Sequence, residues 1–387
     1  MIPKNWRWIT LNDFAECLDN LRVPVNAKER SKRIGNIPYY GATGQTGWID
    51  NYLTNEQLVL LGEDGAPFLD IFKDKAYIID GKAWINNHVH ILKSYFGDIG
   101  NRYLKYYLNN FDFKDYVSGT TRLKLTQSKM KSIPIPLPPL DEQQRIVDII
   151  ENLFSKLDRS KALAQNVIDN YELRRSAILN TVFNGSDNLE IKSLDECGTW
   201  SGGGTPSMKH KEYWENANIL WVTPKDMKSD TINNTQMKIN SIGVENSSAK
   251  LIKNPSVLFV MRSGILRHTL PISMIELEFT CNQDLKVLTP FDKINVKYLM
   301  LACKANEKSI LNNCMKNGTT VESINFDALK KFKIKITAIE EQKEIVRILD
   351  SLLAKEQQTK ELAEQILQKI DLMKKSILAR AFRGELN

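Results

Sequence analysis

The sequence predicts an α+β protein built as an internal repeat. Two mixed α/β domains are joined by two long helices that pair as an antiparallel coiled coil, with pseudo-two-fold symmetry. A helix-start motif occurs twice, as "PPLDEQQRIVDII" at 138–150 and "AIEEQKEIVRIL" at 338–349. Apolar residues recur at heptad spacing after both copies. The preceding segments contain short apolar runs flanked by Gly, Asn and Pro, which is typical of strands and turns.

A constant offset relates the two copies. Gly119-Thr120-Thr121 aligns with Gly318-Thr319-Thr320, an offset of 199 residues (318 minus 119). Between residues 119 and 185, 20 of 67 positions are identical to their counterparts without any gap. Chance would give only a few identities. The repeating unit is therefore a whole domain plus a helix, which is far longer than the repeat of a solenoid.

Both helix starts have acidic first turns, which the helix dipole favours. The prolines before Asp141 exclude helix interior, so the first helix is expected to begin near that residue. Gly185 and Gly384 are expected C-terminal stops. Each helix should run for about 40 residues, or about 60 Å. The apolar stripes predict that the helices pair with each other; two separate helices, each packed on its own domain, are the alternative.

The expected segments are a first α/β domain at 1–139, a helix at 140–185, a second α/β domain at 186–338 and a second helix at 339–387. Residues 1–139 hold 18 Lys and Arg against 14 Asp and Glu, and residues 186–338 hold 20 against 16. The helical segments are nearly neutral, so the net charge of +7 lies in the two domains. Two mildly basic domains suggest a polyanionic partner.

Apolar runs and cysteine spacing indicate the cellular compartment. The sequence has no apolar run near the roughly 18 residues of a membrane span and no basic-then-apolar signal region, so a cytoplasmic protein is expected. The five cysteines contain no C-x-x-C pair, which favours scattered reduced thiols over disulfides or zinc.

These motifs together resemble the specificity subunit of Type I restriction–modification systems, over essentially the whole chain. The two helix starts are similar to the family's repeated helices. The fragments "IPYYGATGQTGWIDNY", "LLGEDGA" and "INNHVHIL" resemble one class of target-recognition domain, and "SGGGTPS", "YWENANILWVTPKDM" and "VLFVMRSGI" resemble another. Ala338 departs from the pattern, because the second copy lacks the prolines of the first.

The resemblance implies a non-catalytic subunit that binds double-stranded DNA. Each recognition domain would recognise one half of a split target. The paired helices would set the spacer and dock two methyltransferase subunits, through residues such as Glu142, Gln143, Glu341 and Gln342. S-adenosylmethionine, ATP and Mg²⁺ would belong to the methyltransferase and restriction subunits, and no cofactor is expected in this chain.

Candidate DNA-binding residues are those whose side chains can bond base edges or phosphates. For each, a surface or capping role is equally compatible with the sequence. They are Thr43, Gln45, Asp64, Asn86, Asn87, His88, Thr120, Thr121, Arg122 and Lys124 in the first domain, and Thr205, Lys209, Lys225, Arg262, Ser263, Asn282, Gln283, Thr319 and Thr320 in the second.

Catalytic and metal sites are not expected. The acidic "GEDGAPFLD" turn could suggest a nuclease, but its carboxylates could equally cap backbone amides or accept from cytosine amino groups. His88 and His90 alternate as on a strand, and no third zinc ligand is evident. "SGGGTPS" lacks the lysine of a P-loop. The alternatives are a specificity subunit of another restriction–modification type, an acidic-turn nuclease and a purely structural coiled-coil adaptor.

Overall fold

The structure is a computed structural model that describes residues 2–184, 190–316 and 321–386. Its contacts divide the chain into two compact units. Unit 1 consists of the residues up to Asn166 together with those from Leu362 onward, and unit 2 is Val167–Glu361. Each unit therefore combines a sheet-rich body with parts of the long helices. In the described part of the chain, no helix is both long and apolar enough to cross a membrane.

The first half of the chain alternates short strands with short helices before two longer helices. Its elements are β1 Arg7–Thr10, α1 Leu11–Phe14, β2 Ala15–Cys17, α2 Ala27–Arg30, β3 Ile37–Gly41, β4 Gly44–Ile49, β5 Thr54–Asn55, β6 Leu58–Gly62, β7 Ala76–Ile79, β8 Lys82–Ile85, β9 Val89–Ser94, α3 Gly97–Asn110, β10 Val117–Ser118, β11 Lys124–Leu125, α4 Gln127–Lys131, β12 Pro134–Leu137, α5 Leu140–Asp169 and α6 Tyr171–Asn184.

The second half follows the same plan. Its elements are β13 Glu190–Ser193, β14 Gly198–Gly202, β15 Ile219–Val222, β16 Met237–Ile239, α7 Ser241–Glu245, β17 Ser256–Val260, β18 Ile272–Ile275, β19 Phe279–Cys281, β20 Leu285–Pro290, α8 Val296–Ala305, α9 Glu307–Cys314, α10 Phe326–Lys331, β21 Lys333–Ile336 and α11 Ile339–Ala381.

The sheets show the internal repeat on the backbone. Unit 1 contains a sheet of order β2-β9-β6-β7, and unit 2 contains β14-β20-β17-β18. A second sheet has the order β4-β3-β8-β5 in unit 1 and β16-β15-β19 in unit 2. Within these second sheets, β3 pairs in parallel with β8, and β15 with β19. Apart from the edge strand β5 of unit 1, the two bodies thus share one topology although their sequences differ.

Each unit has its own core around its central strand. All five residues of β6 are buried, and so are all five of β17. Strands buried on both faces read as continuous apolar runs, which explains "LVLLG" and "SVLFV". In unit 1 the end of α11 joins this core, because Phe382 packs edge-on against Tyr103 and Tyr107.

The long helices run antiparallel where they meet within each unit. In unit 1, Lys374 Nζ lies 2.6 Å from Asp158 Oδ1, and Lys161 Nζ lies 3.5 Å from Asp371 Oδ1. The residue number rises along α5 as it falls along α11. In unit 2, Arg174 of α6 contacts Glu356 of α11 at 2.8 Å. A coiled coil along the whole length remains a prediction.

One expected feature of the helices differs from the structure. The segment 140–185 was expected to be one continuous helix, but it is interrupted at Asn170 between α5 and α6. The counterpart of Asn170 is Lys369, a better helix former, and α11 continues through it. Gly185 lies outside the described residues, whereas Gly384 has φ +72°, a conformation that glycine adopts without strain.

Candidate nucleic-acid interface

The candidate residues of unit 1 gather where β6 ends. Leu125 N donates to Glu63 O (2.7 Å), and Glu63 N donates to His88 O (2.9 Å). The turn after β6 is therefore held between the start of β9 and β11. This arrangement brings four predicted residues together at the turn. They are Asp64, His88, Arg122 and Lys124, the last of which contacts Glu63.

Asp64 is the centre of this group. Its Oδ1 lies 2.6 Å from Arg122 Nη2, which donates a hydrogen bond to it. His88 Nδ1 lies 2.8 Å from the same oxygen, as a close contact without an aligned hydrogen bond. Gly65, with φ +70°, lets the Arg122 guanidinium lie over the backbone. The carboxylate therefore positions two potential DNA donors.

A buried network lies behind Asp64. His90 Nδ1 is 2.7 Å from Asp19 Oδ2, and its Nε2 is 2.9 Å from Leu125 O. Burial alone raises the pKa of Asp19, but the hydrogen bond and charge of His90, the Ile91 N–H and Arg22 outweigh it and lower the pKa to about 2. Asp19 therefore stays ionised, and it shares its partner Arg22 with Glu63 of the turn.

The acidic groups of this region are already paired within the protein. Asp19, Glu63 and His90 offer three possible metal-ligand atoms within 4.8 Å of one another. Glu63, however, contacts Arg22 and, at 3.1 Å, Lys124. Asp70 Oδ1 accepts from Phe72 N (3.0 Å), as the capping interpretation of this turn predicts. The arrangement is that of a charge-balanced structural turn.

The remaining predicted residues of unit 1 lie on loops, apart from Gln45, which is on β4. Thr43 and Gln45 are exposed on the hairpin from β3 to β4, and Thr120 and Thr121 are exposed between β10 and β11. Asn86 accepts from His88 N (2.8 Å) through its side chain. Asn87 is exposed beside it.

In unit 2 the predicted residues meet around a pocket of about 430 Å³. Lys225, Arg262, Ser263 and Asn282 all line it. Thr205 Oγ1 hydrogen-bonds to Gln283 beside this pocket. Lys209 is exposed elsewhere on a loop, and Thr319 and Thr320 lie outside the described residues.

The structure adds lining residues that the sequence did not single out. Asp284, Trp221 and Asp226 also line the pocket. Asp284 N donates to Asn282 Oδ1 (3.2 Å), the same bond that His88 makes to Asn86. Aligning Asn86 with Asn282 would have revealed Asp284, because each asparagine forms an Asx turn with the second residue after it.

The predicted docking residues are divided between surface and interior. Glu341 is exposed at the start of its helix, whereas Glu142 is half-buried and pairs with Arg145. Gln143 and Gln342 are buried. The side chain of Gln342 bonds the backbone of Asn295, Lys293 and Thr337 within unit 2. The glutamines thus anchor their helices, and docking by any of the four stays a prediction.

The fold and these two clusters define an internally duplicated α+β protein with one candidate binding surface in each repeat. The chain belongs to the family of the Type I restriction modification DNA specificity domain, which matches residues 3–168 and again 186–368.

Individual relatives agree with this assignment. The chain is similar to the EcoR124I/EcoR124II specificity subunit of Escherichia coli, with 33% identity over 71% of this chain and 68% of that protein. It is 38% identical to a putative type I specificity subunit of Haemophilus influenzae, over 38% of this chain and 37% of that one.

Solved structures agree on the fold. The HsdS subunit from Thermoanaerobacter tengcongensis aligns over 100% of this chain and 98% of its own, with a TM-score of 0.67 and 18% identity. The predicted two-domain α+β repeat is thereby confirmed.

Proposed function

We propose that this chain recognises a bipartite DNA target, with one half-site bound by each unit, and that it has no catalytic activity of its own. The observation that carries the proposal is that the two units share strand order and turn geometry but present different polar side chains at equivalent places. A duplicated scaffold with unlike surfaces suits two different half-sites. The structure does not favour the alternative of an acidic-turn nuclease, since Glu63, Asp64 and Asp70 have partners within unit 1.

The duplication also suggests which protein subunits bind this chain. Two equivalent helix copies would dock two identical methyltransferase subunits, which would bring S-adenosylmethionine, and a restriction subunit using ATP and Mg²⁺ could join the complex. Like surfaces at symmetry-related places are what two identical partners require. The exposed leucines Leu163 and Leu362, at the repeat offset, are 70% and 51% exposed. Apolar side chains exposed at matching places favour a repeated protein interface.

A domain exchange tests the bipartite proposal. Residues 186–338 are replaced by the corresponding segment of a relative, and the chain is assembled with methyltransferase subunits. Methylation mapping should show one half of the target changed and the other half kept. The reciprocal exchange of residues 1–139 should change the other half alone. A change in both halves from either exchange would contradict the proposal, as would methylation by the purified chain without partners.

A further inference from the structure

The turns after β6 and β17 are equivalent residue by residue. In unit 1, Glu63 N donates to His88 O and Gly65 N to Leu123 O. In unit 2, Met261 N donates to Asp284 O (2.8 Å) and Ser263 N to Glu322 O (3.1 Å). Asp64 pairs with Lys124 in an isolated bridge, and Arg262 pairs with Ser323 in the same way. Arg262 thus occupies the place of Asp64, and Asp284 that of His88.

The sequence offset alone misplaces these residues by one. An offset of 199 aligns Gly65 with Gly264, but the hydrogen bonds align Gly65 with Ser263. Gly65 has φ +70°, and Gly264 does not have a positive φ. The equivalence of Asp64 with Arg262 is therefore visible only on the folded backbone.

The charges at this place are reversed between the units. In unit 1 the turn supplies the acid, Asp64, and the following segment supplies the base, Arg122. In unit 2 the turn supplies the base, Arg267, and the facing segment supplies the acid, Glu322. Each turn thus has a nearby ion pair to the facing segment, but the two pairs are at different positions. Glu322 is at the place of Leu123, and Arg267 comes five residues after Arg262.

Arg262 is left free by this exchange. Within the described residues its side chain forms no hydrogen bond or ion pair, and it is exposed on the pocket that Asp284 also lines. Asp284 is half-buried, and its Oδ2 accepts from Asn282 Nδ2 at 3.1 Å. The pocket therefore presents an unpaired guanidinium and a carboxylate that is held in place.

We infer that Arg262 and Asp284 recognise one G·C base pair in the half-site of unit 2, from the major groove. Guanine offers two acceptors, O6 and N7, that match the fork of an arginine, and the cytosine amino group beside them donates to a carboxylate. Unit 1 has Asp64 and His88 at these places, with the carboxylate already bound to Arg122, so the same base pair is not recognised there. The inference rests on the proposed function and specifies one base pair of its target.

The test is selection from randomised duplex DNA by the full chain assembled with methyltransferase subunits. Wild type should enrich two half-sites. Arg262→Gln should reduce the preference for G·C at one base pair by roughly tenfold to hundredfold, with the other half-site unchanged. Arg262→Lys keeps the charge but loses the fork, so overall affinity should stay nearly constant while the preference falls. Asp284→Asn should weaken the preference at the same base pair. Arg267→Ala is the matched control, because Arg267 is a nearby exposed arginine that pairs with Glu322 and does not line the pocket; the selected sequence should be unchanged.

The outcomes separate the two levels of proposal. If wild type enriches no bipartite sequence, the proposed function fails and the inference with it. If wild type enriches two half-sites but both Arg262 variants leave the selected sequence unchanged, or weaken all sequences equally, the inference alone is overturned. Arg262 would then be a phosphate contact or a bystander. Circular dichroism of each variant checks that the exposed substitution leaves the fold intact.

Discussion

Gln143 and Gln342 are the same residue at the same place in the repeat, yet their surroundings differ. Gln342 Oε1 accepts from Asn295 N (2.8 Å), and its Nε2 donates to Lys293 O (3.1 Å) and Thr337 O (2.7 Å). Gln143 Nε2 donates to Pro138 O (3.2 Å), and in the described part of the chain its Oε1 has no hydrogen-bond partner. The sequence identified the two glutamines as a matched pair. It could not show which of them contributes more to stability, because their hydrogen-bond partners come from other parts of each unit.

We therefore predict unequal costs for the two Gln→Leu substitutions. Gln342→Leu would leave three backbone groups without partners and should lower the free energy of unfolding by about 2–4 kcal/mol. Gln143→Leu removes one bond and an already unpaired oxygen, so it should cost at most about 1 kcal/mol. Urea denaturation followed by tryptophan fluorescence measures both. The exposed Gln358→Leu serves as control, and equal losses at 143 and 342 would refute the argument.

Individual residues also show which parts of the candidate DNA-binding site could be predicted from the sequence. Residue type and turn context were enough to select Asp64, His88, Arg122, Arg262 and Asn282, and the structure brings each of them to one of the two clusters. The sequence could not predict which of the charged side chains form ion pairs with each other. Asp64 forms an ion pair with Arg122, 58 residues away, whereas Arg262 has no side-chain partner among the described residues. That difference depends on which strands meet, and local sequence does not encode it.

At the scale of elements, the helices were predicted more accurately than the strands. Acidic first turns and heptad spacing marked the beginnings of α5 and α11 within one or two residues. The many two- to five-residue strands give too little periodicity for their bounds to be set. The interruption at Asn170 was also missed, because one polar residue among heptad positions looks like any other surface position.

The exposed faces of the helices lead to a prediction about docking. Leu163 and Leu173 are matched at the repeat offset by Leu362 and Leu372, and all four are more than half exposed. Leu163→Ser should weaken one of two methyltransferase sites by roughly tenfold or more, since a leucine buried at an interface contributes about 1.5–3 kcal/mol. The matching change Leu362→Ser should weaken the other, and a quadruple variant with all four leucines changed to Ser should weaken both.

Native mass spectrometry of the assembled complex counts the bound methyltransferase subunits. The quadruple variant should bind none at concentrations where wild type binds two. Leu277→Ser, an exposed leucine away from the helices, is the control and should bind two. If the quadruple variant keeps both subunits, the leucines are not the docking surface.

At the scale of the whole molecule, duplication explains why one chain carries two alike helices and two unlike bodies. The helical copies have 15 identical residues in the 46 positions from Leu140 to Gly185, while the bodies keep their strand order but exchange charges at the equivalent positions Asp64 and Arg262. Selection for two identical partners would hold the helices alike. Selection for two different half-sites would let the recognition turns diverge on a constant backbone.

The final prediction concerns the distance between the half-sites, which we expect the paired helices to set. A single insertion near Lys161 would shift α5 against α11 and misalign Arg174 with Glu356 or Lys161 with Asp371. Insertions must therefore be made opposite each other, between Gln165 and Asn166 and between Glu364 and Gln365. Four added residues lengthen each helix by about 6 Å, and B-DNA rises about 3.4 Å per base pair. Methylation mapping should show that the spacer between the two half-sites, whose bases are not recognised, is longer by about one or two base pairs. The bases of each half-site should be unchanged.

The single insertion in α5 is the control for this experiment. It should reduce assembly and activity, because it breaks the register of the ion pairs without a matching change in α11. The paired insertion keeps that register and should retain activity on the longer target. Full activity of the paired variant on the original spacer would contradict this prediction. It would mean that lengthening both helices by about 6 Å does not change the distance between the half-sites, so something other than helix length sets that distance.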